Sequence, residues 1–348
     1  MHLQTTSSLL LALSLSSYAV SIPKSTHATP KFPSNPRVVY EYTNPTWLEN
    51  LAVRPNGNIL VTEMSPVPRL HHISNPESPS PVSTVIHTFN STGAILGIAE
   101  VSPDVFLLVG GPQKALSQPI PGENEVWKCD FNTPGWPTIS KAGNIPQITL
   151  ANGITKLPGS DAVLIADSYK GSVYRFDIKN SSASLVLDYP EMKPLKNNLG
   201  LVLGVNGVHI YGDFLYFTES FASTIYRIKI DTRTGYAKAG ATVEKVTHAD
   251  TIVLDDFIMD NRGGLYSAAG EDQTLQYAHR GAQNMTVVAG SAKSLSYAGS
   301  TALAFGRTAG ETNYGVLYVT TDGGTAGPVN GTLTEGGKVI ALYPEQFL

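Results

Sequence analysis

Apolar and polar residues alternate along this chain in short bursts, and one burst comes round six times. Each copy opens on a turn, runs through an apolar strand and often ends on an acid. The copies read Gly57-Asn-Ile-Leu-Val-Thr-Glu63, Asp104-Val-Phe-Leu-Leu-Val-Gly110, Asp161-Ala-Val-Leu-Ile-Ala-Asp167, Asp213-Phe-Leu-Tyr-Phe-Thr-Glu219, Gly263-Gly-Leu-Tyr-Ser-Ala268 and Gly315-Val-Leu-Tyr-Val-Thr320. With Leu60, Leu108, Leu164, Tyr216, Tyr266 and Tyr318 as equivalent anchors, the spacings are 48, 56, 52, 50 and 52 residues. A period near fifty built from short strands predicts an all-β, six-bladed β-propeller.

The first unit parses into four strands: Leu51–Arg54, Asn58–Glu63, Arg69–Ile73 and Val82–Phe89. Its Pro55-Asn56-Gly57 turn is a strong hairpin signal. The sixth unit ends without room for a fourth strand, whereas Arg37-Val-Val-Tyr-Glu-Tyr42 stands spare at the other end. That segment is expected to close the last blade and cover its exposed edge. The domain reading is therefore a signal peptide over 1–19, a disordered leader over 20–36 and one propeller over 37–348.

In four-stranded up-and-down blades, the loops leading into first strands and those joining second to third strands share one face. The former carry Trp47, Glu49, Asn152, Asn206 and Asp255; the latter begin after Glu63, Asp167, Glu219 and Asp322. Carboxylates and amides from several blades should thus converge on one mouth of the channel, the default place for a site.

Composition narrows the function classes. A net charge of -4 gives no basic footprint for nucleic acid. Leu9-Leu-Leu-Ala-Leu-Ser-Leu15 is an apolar core of signal-peptide length, too short for a membrane span. Cleavage is expected after Ala19, and sequons at Asn90, Asn180, Asn284 and Asn330 fit glycosylation along a secretory route. Cys129 is the only cysteine, so no internal disulfide forms, and it reads as a small buried hydrophobe.

The chain has no Gly-x-Ser-x-Gly elbow, His-Glu-x-x-His pair, Cys-x-x-Cys pair or phosphate-binding glycine loop. The glycine-rich run Asp322–Gly331 reads as a mobile lip over the mouth or as plain linker. His71 and His72 are adjacent in a strand and must point to opposite faces. His87, His248 and His279 belong to outer strands, while His209 lies near the mouth and is a candidate for proton transfer. Glu49, Asn152, Asn206 and Asp255 offer oxygen donors from separate blades, which suit a hard cation such as Ca²⁺. Equally, Asn-Gly and Asp-Asp are common turn residues.

The repeat and these residues resemble the senescence-marker protein/gluconolactonase superfamily of six-bladed propellers. Those enzymes hold a divalent cation through a Glu of the first blade, an Asn of the fourth and an Asp of the fifth. The resemblance implies Glu49, Asn206 and Asp255 as metal ligands, with Asn152 touching metal or substrate. The family's Glu-x-Pro-x-Trp is here Glu49-Asn-Leu-Ala-Val53. More closely, Thr46-Trp-Leu-Glu-Asn-Leu-Ala-Val-Arg-Pro-Asn-Gly-Asn-Ile-Leu-Val-Thr62, preceded by Val-Tyr-Glu-Tyr42, resembles a fungal secretory branch of these propellers. That branch includes the hetero-Diels-Alderases of tropolone–sesquiterpene biosynthesis.

The likeness implies an enzyme that dehydrates a hydroxymethyl tropolone to a quinone methide and adds it across a sesquiterpene alkene. Its partners would be small polyketide and terpene molecules, and this chemistry requires no cofactor. Acid and base candidates are Glu49, Asp255 and His209. Asn152 and Asn206 would hold a ketone oxygen, and Trp47, Phe221 and Phe257 would wall the terpene. Two other readings stay open: a metal-dependent lactonase using the same donors, and a non-catalytic binding propeller.

Overall fold

Where a strand packs on both faces, period-two alternation gives way to an unbroken apolar run. That is what the repeated motif encodes. The second strands of blades two, three, five and six are Val105–Gly110, Ala162–Asp167, Leu265–Ala269 and Leu317–Thr321, and each is buried at every position. Successive side chains serve opposite neighbours. Phe106 and Leu108 pack with Leu60 and Leu70 of the first blade, while Leu107 and Val109 pack with Ile154 and Val163 of the third.

The computed structural model describes residues 36–116, 118–198, 200–308 and 315–343. They form six four-stranded antiparallel sheets, each with the topology of a propeller blade. The innermost strands are Trp47–Val53, Ile98–Ser102, Ala151–Lys156, Val205–Tyr211, Phe257–Met259 and Ser300–Phe305. Arg37–Glu41 pairs antiparallel with Lys338–Leu342 and becomes the fourth strand of the sixth blade, so the ring closes as expected. The 1–19 signal segment and nearly all of the 20–36 leader lie outside the described residues. Asn90, Asn180, Asn284 and Asn330 are all exposed. Among the described residues, no helix is long and apolar enough to cross a membrane.

Three features depart from the sequence reading. Blade two has a full fourth strand, Thr138–Asn144, which its polar sequence conceals. Two small hairpins are inserted on the mouth face, Gln113–Ala115 with Gln118–Pro119 and Leu195–Lys196 with Val202–Leu203. Third, Asn152-Gly153 and Asn206-Gly207 lie inside first strands rather than in turns. Their glycines serve close approach: a Cβ on Gly153 would stand 2.2 Å from the carbonyl oxygen of Asn206, and one on Gly207 would stand 2.3 Å from Asp256 Oδ1. Adjacent inner strands can therefore pack backbone to backbone around the channel.

Candidate active site

The first residues of the inner strands do not simply alternate. Register shifts interrupt pairing between Leu48 and Asn50, between Ala151 and Ile154, between Val205 and Val208, and between Ser300 and Leu303. A bulge re-aims the side chain it carries. Here the shifts occur where Glu49, Asn152, Asn206 and Thr301 reach one pocket at the channel mouth.

That pocket holds about 680 Å³ of empty space, counted out into its open mouth. It brings together Trp47, Glu49, Asn152, Asn206, Phe221 and Asp255. His209 and Phe257 are not among its lining residues. Phe257 is fully buried in the core between the fourth and fifth blades. His209 stands edge-on to that ring and joins Asp256 through Nε2 and Oδ1 at 2.8 Å. Asn50 donates to the other oxygen of Asp256 at 3.1 Å. The pairing of His209 with Asp256 is thus a link across inner strands, beside the pocket rather than in it.

Four further histidines are also placed. His71 joins buried Glu63 at 2.7 Å, and His72 points the other way, to Arg54 at 3.1 Å. His87 lies against Phe89 and Trp127, His248 approaches Thr224, and none of them lines the pocket.

The pocket has two contrasting walls. One is apolar: Trp47, Met64, Leu96 and Leu150 form a cluster that Leu116, Leu203 and Ala326 extend. Leu116 and Leu203 come from the two inserted hairpins, which sequence periodicity did not reveal. The other wall carries Glu49, Asp255, Glu271 and Asp322, and among the described residues no Lys, Arg or His lines the pocket.

Burial governs the charge of these acids. It raises Glu49 from 4.5 to about 7, opposed by the Trp47 indole, which donates to Glu49 Oε2 at 2.5 Å, and reinforced by Asp322 and Asp256. Burial also raises Asp255 well above the ordinary range, with Glu49 and Asp256 adding repulsion and the Asn206 amide opposing it. Asp322 is raised to about 7 by burial, although the amides of Gly324, Thr325 and Ala326 favour its charged form. Such a dry, mutually repelling set favours the protonated form of its carboxyls.

The hydrogen bonds sort these residues by role. Asn206 donates to Asp255 Oδ1 at 2.7 Å and to Ser220 Oγ at 3.1 Å, so both amide hydrogens are committed. It orients Asp255 and leaves its side-chain oxygen with no hydrogen-bond partner among the described residues. Asn152 is buried on the wall with no hydrogen bond from its side-chain amide to another described residue. Asp322 binds the amides of Gly324 at 2.6 Å, Thr325 at 3.1 Å and Ala326 at 3.0 Å. The glycine-rich run is therefore pinned against the pocket, with Ala326 on its wall.

For a divalent cation the donor chemistry fits. Glu49, Asp255 and the carbonyl oxygens of Asn206 and Asn152 are hard oxygen donors, and a cation would relieve the repulsion between the two carboxylates. The Trp47 indole already occupies one oxygen of Glu49. Among the described residues, no three His, Cys, Asp or Glu side chains form a metal-binding group.

No family model matches the chain. It is 30% identical over 317 residues to "Putative hetero-Diels-Alderase asR5" of Sarocladium schorii, covering 82% of this chain and 77% of that one. It is 28% identical to "Putative hetero-Diels-Alderase" of a Phoma species, covering 89% and 93%. Among solved structures it is similar to a calcium-binding regucalcin of Agrobacterium tumefaciens, with TM-score 0.61 and 14% identity, covering 91% of this chain and 98% of that one. A gluconolactonase of Xanthomonas campestris is similar at TM-score 0.57 and 13% identity, covering 90% and 96%. At those identities the structural likenesses show the propeller fold alone. The sequence likeness reaches further, and by it the chain belongs to the hetero-Diels-Alderase family, as an enzyme built on a six-bladed β-propeller.

Proposed function

We propose that the pocket removes water from a hydroxymethyl tropolone or similar phenol-like precursor and directs cycloaddition of the resulting quinone methide to a sesquiterpene alkene. One observation carries this reading: desolvated carboxylates, Glu49 raised to about 7 and Asp255 well above the ordinary range, face an apolar wall in a pocket that no basic side chain lines among the described residues. A protonated Glu49 or Asp255 can give its proton to a departing hydroxyl, a role ordinary carboxylates lose well below neutrality. The side-chain amide of Asn152, which makes no hydrogen bond to another described residue, can donate to the ketone oxygen as charge gathers there.

The apolar wall of Trp47, Leu150 and Leu203, with Phe221, suits a hydrocarbon ring system. Cycloaddition itself asks little of the protein beyond confinement. Holding the two partners face to face removes entropy from the barrier, worth up to about 7–11 kcal/mol in well-oriented cases, and selects one facial approach. The leader and the exposed sequons support a secretory-route protein.

A lactonase reading draws on the same donors. A divalent cation, when bound, would be held by Glu49, Asn206 and Asp255 and would supply a Lewis acid for a carbonyl oxygen. In either reaction Trp47 and Asn206 fix the two carboxylates, and the apolar wall excludes water.

The test is an incubation of purified mature protein with a hydroxymethyl tropolone and humulene, followed by mass spectrometry against a protein-free control. Adduct formation above background, reduced in Glu49→Gln and Asp255→Asn, is expected. Hydrolysis of simple lactones, stimulated by Ca²⁺ and without adduct, would replace this reading with the lactonase.

A further inference from the structure

The blades repeat a turn between second and third strands, and comparing its copies isolates one acid. In blade three the turn is Asp167-Ser-Tyr-Lys-Gly171, in blade four Glu219-Ser-Phe-Ala-Ser223, and in blade five Ala269-Gly-Glu-Asp-Gln273. The fifth residue has positive φ each time: 65° at Gly171, 48° at Ser223 and 56° at Gln273. Each turn joins the second to the third strand over the same four residues, so their residues can be compared position by position.

In blades three and four the first residue is an acid consumed by the turn itself. Asp167 accepts from the amides of Tyr169 and Lys170, and Glu219 from that of Ala222. Asp322 does the same work in blade six. Blade five has Ala269 there, and the acid has moved to the third position, Glu271. That is the position from which Phe221 of blade four reaches the pocket, and Glu271 reaches it too.

Gln273 braces this turn in place of the missing acid. Its Nε2 donates to the carbonyls of Glu271 at 3.0 Å and Gly327 at 2.9 Å, and its Oε1 accepts from Gly299 at 2.5 Å. It fixes the backbone of Glu271 against the glycine-rich run. The carboxylate of Glu271, in contrast, makes no hydrogen bond to any described residue, and it is half-buried.

Every other acid of the pocket is engaged: Glu49 with Trp47, Asp255 with Asn206, and Asp322 with three amides. We infer that Glu271 is a further catalytic residue, the base that takes the ring-hydroxyl proton during dehydration. This rests on the dehydration–cycloaddition reading of the same pocket. As the ring O–H bond breaks, its electron pair forms the C=O bond, and the ring electrons shift to make the exocyclic C=C. The C–O bond to the hydroxymethyl oxygen then breaks, and that oxygen leaves as water with the proton of Glu49 or Asp255. Glu271 ends protonated and the acid ionised; exchange with solvent resets both, and the net change is loss of one water. Burial and the neighbouring Asp272 raise Glu271 above the ordinary carboxylate range, which strengthens it as a proton acceptor.

The test compares wild type, Glu271→Gln and Glu271→Asp in two assays, with melting temperatures as the folding control. In the first, the hydroxymethyl tropolone must be dehydrated. Glu271→Gln is expected to lose about a hundredfold or more in kcat/KM, with partial recovery in Glu271→Asp. The acidic limb of the wild-type pH profile should vanish in Glu271→Gln. In the second, the quinone methide is generated chemically in the presence of the alkene, and Glu271→Gln should keep the wild-type stereochemical excess. A Glu271→Gln enzyme within about twofold of wild type in the first assay, or one losing both activities alike, would overturn the assignment. A wild-type protein that forms no enriched adduct in either assay would overturn the underlying reading and this inference with it.

Discussion

Replacing Glu49 by Gln should make the protein more stable at alkaline pH while abolishing its acid chemistry. In the folded state the Glu49 carboxyl is raised from 4.5 to about 7, chiefly by burial. The folded protein therefore binds a proton that the unfolded chain releases between those two values. Stability is undiminished below about pH 4.5, falls as pH rises towards 7, and stays reduced above. A shift of about 2.5 units at about 1.4 kcal/mol each amounts to about 3 kcal/mol. Gln retains an acceptor for the Trp47 indole and carries no charge, so it escapes this cost and also relieves Asp255. The assay is thermal unfolding at pH 5 and pH 8 with chelator present, so that no cation masks the effect. Glu49→Gln should melt higher than wild type at pH 8 by about 3–6 °C and almost equally at pH 5. Equal stabilisation at both values, or none at pH 8, would refute the electrostatic argument.

Other outcomes follow from the same geometry. Trp47→Phe removes the indole hydrogen bond that favours ionised Glu49, so the alkaline limb of activity should move to higher pH by about one unit, measured as kcat/KM against pH. Gly299→Ala should lower the melting temperature sharply. Its φ is 65°, and the new Cβ would lie 1.5 Å from Asp322 Oδ1, so the pinned glycine-rich run must give way. Added Ca²⁺ should raise the melting temperature of wild type more at pH 8 than at pH 5, because protons compete for Glu49 and Asp255. Asp255→Asn should abolish that shift.

The fold was legible because propeller blades write their second strands as continuous apolar runs, and six of these recur at a steady period. Ring closure was legible for a simpler reason: one strand was missing at the C-terminal end, and one of matching character was spare before Trp47. Blade two's outer strand is not legible in sequence because it is polar and its solvent-facing edge imposes no apolar pattern. Glu49, Asn206 and Asp255 could be placed at the mouth from topology and resemblance. The manner of their presentation could not, since a bulge leaves no periodic trace. Asn152-Gly153 and Asn206-Gly207 looked like turns, because in sequence a glycine required for close backbone approach is indistinguishable from one required for positive φ. Leu116 and Leu203 sit on short hairpins with no repeat, and nothing local marks them as pocket walls. Glu271 does carry a signal in the sequence: an acid displaced by two positions from where blades three and four carry theirs.

The central claim is that the mouth pocket holds both reaction partners in one orientation. The most direct measurement is the stereochemical excess of the adduct formed when a chemically generated tropolone quinone methide meets humulene in the presence of excess wild-type protein, read by chiral chromatography. The account predicts a strongly enriched stereoisomer, with the excess falling when Leu203→Ala or Phe221→Ala opens the apolar wall. A racemic adduct, formed at the rate seen without protein, would contradict it.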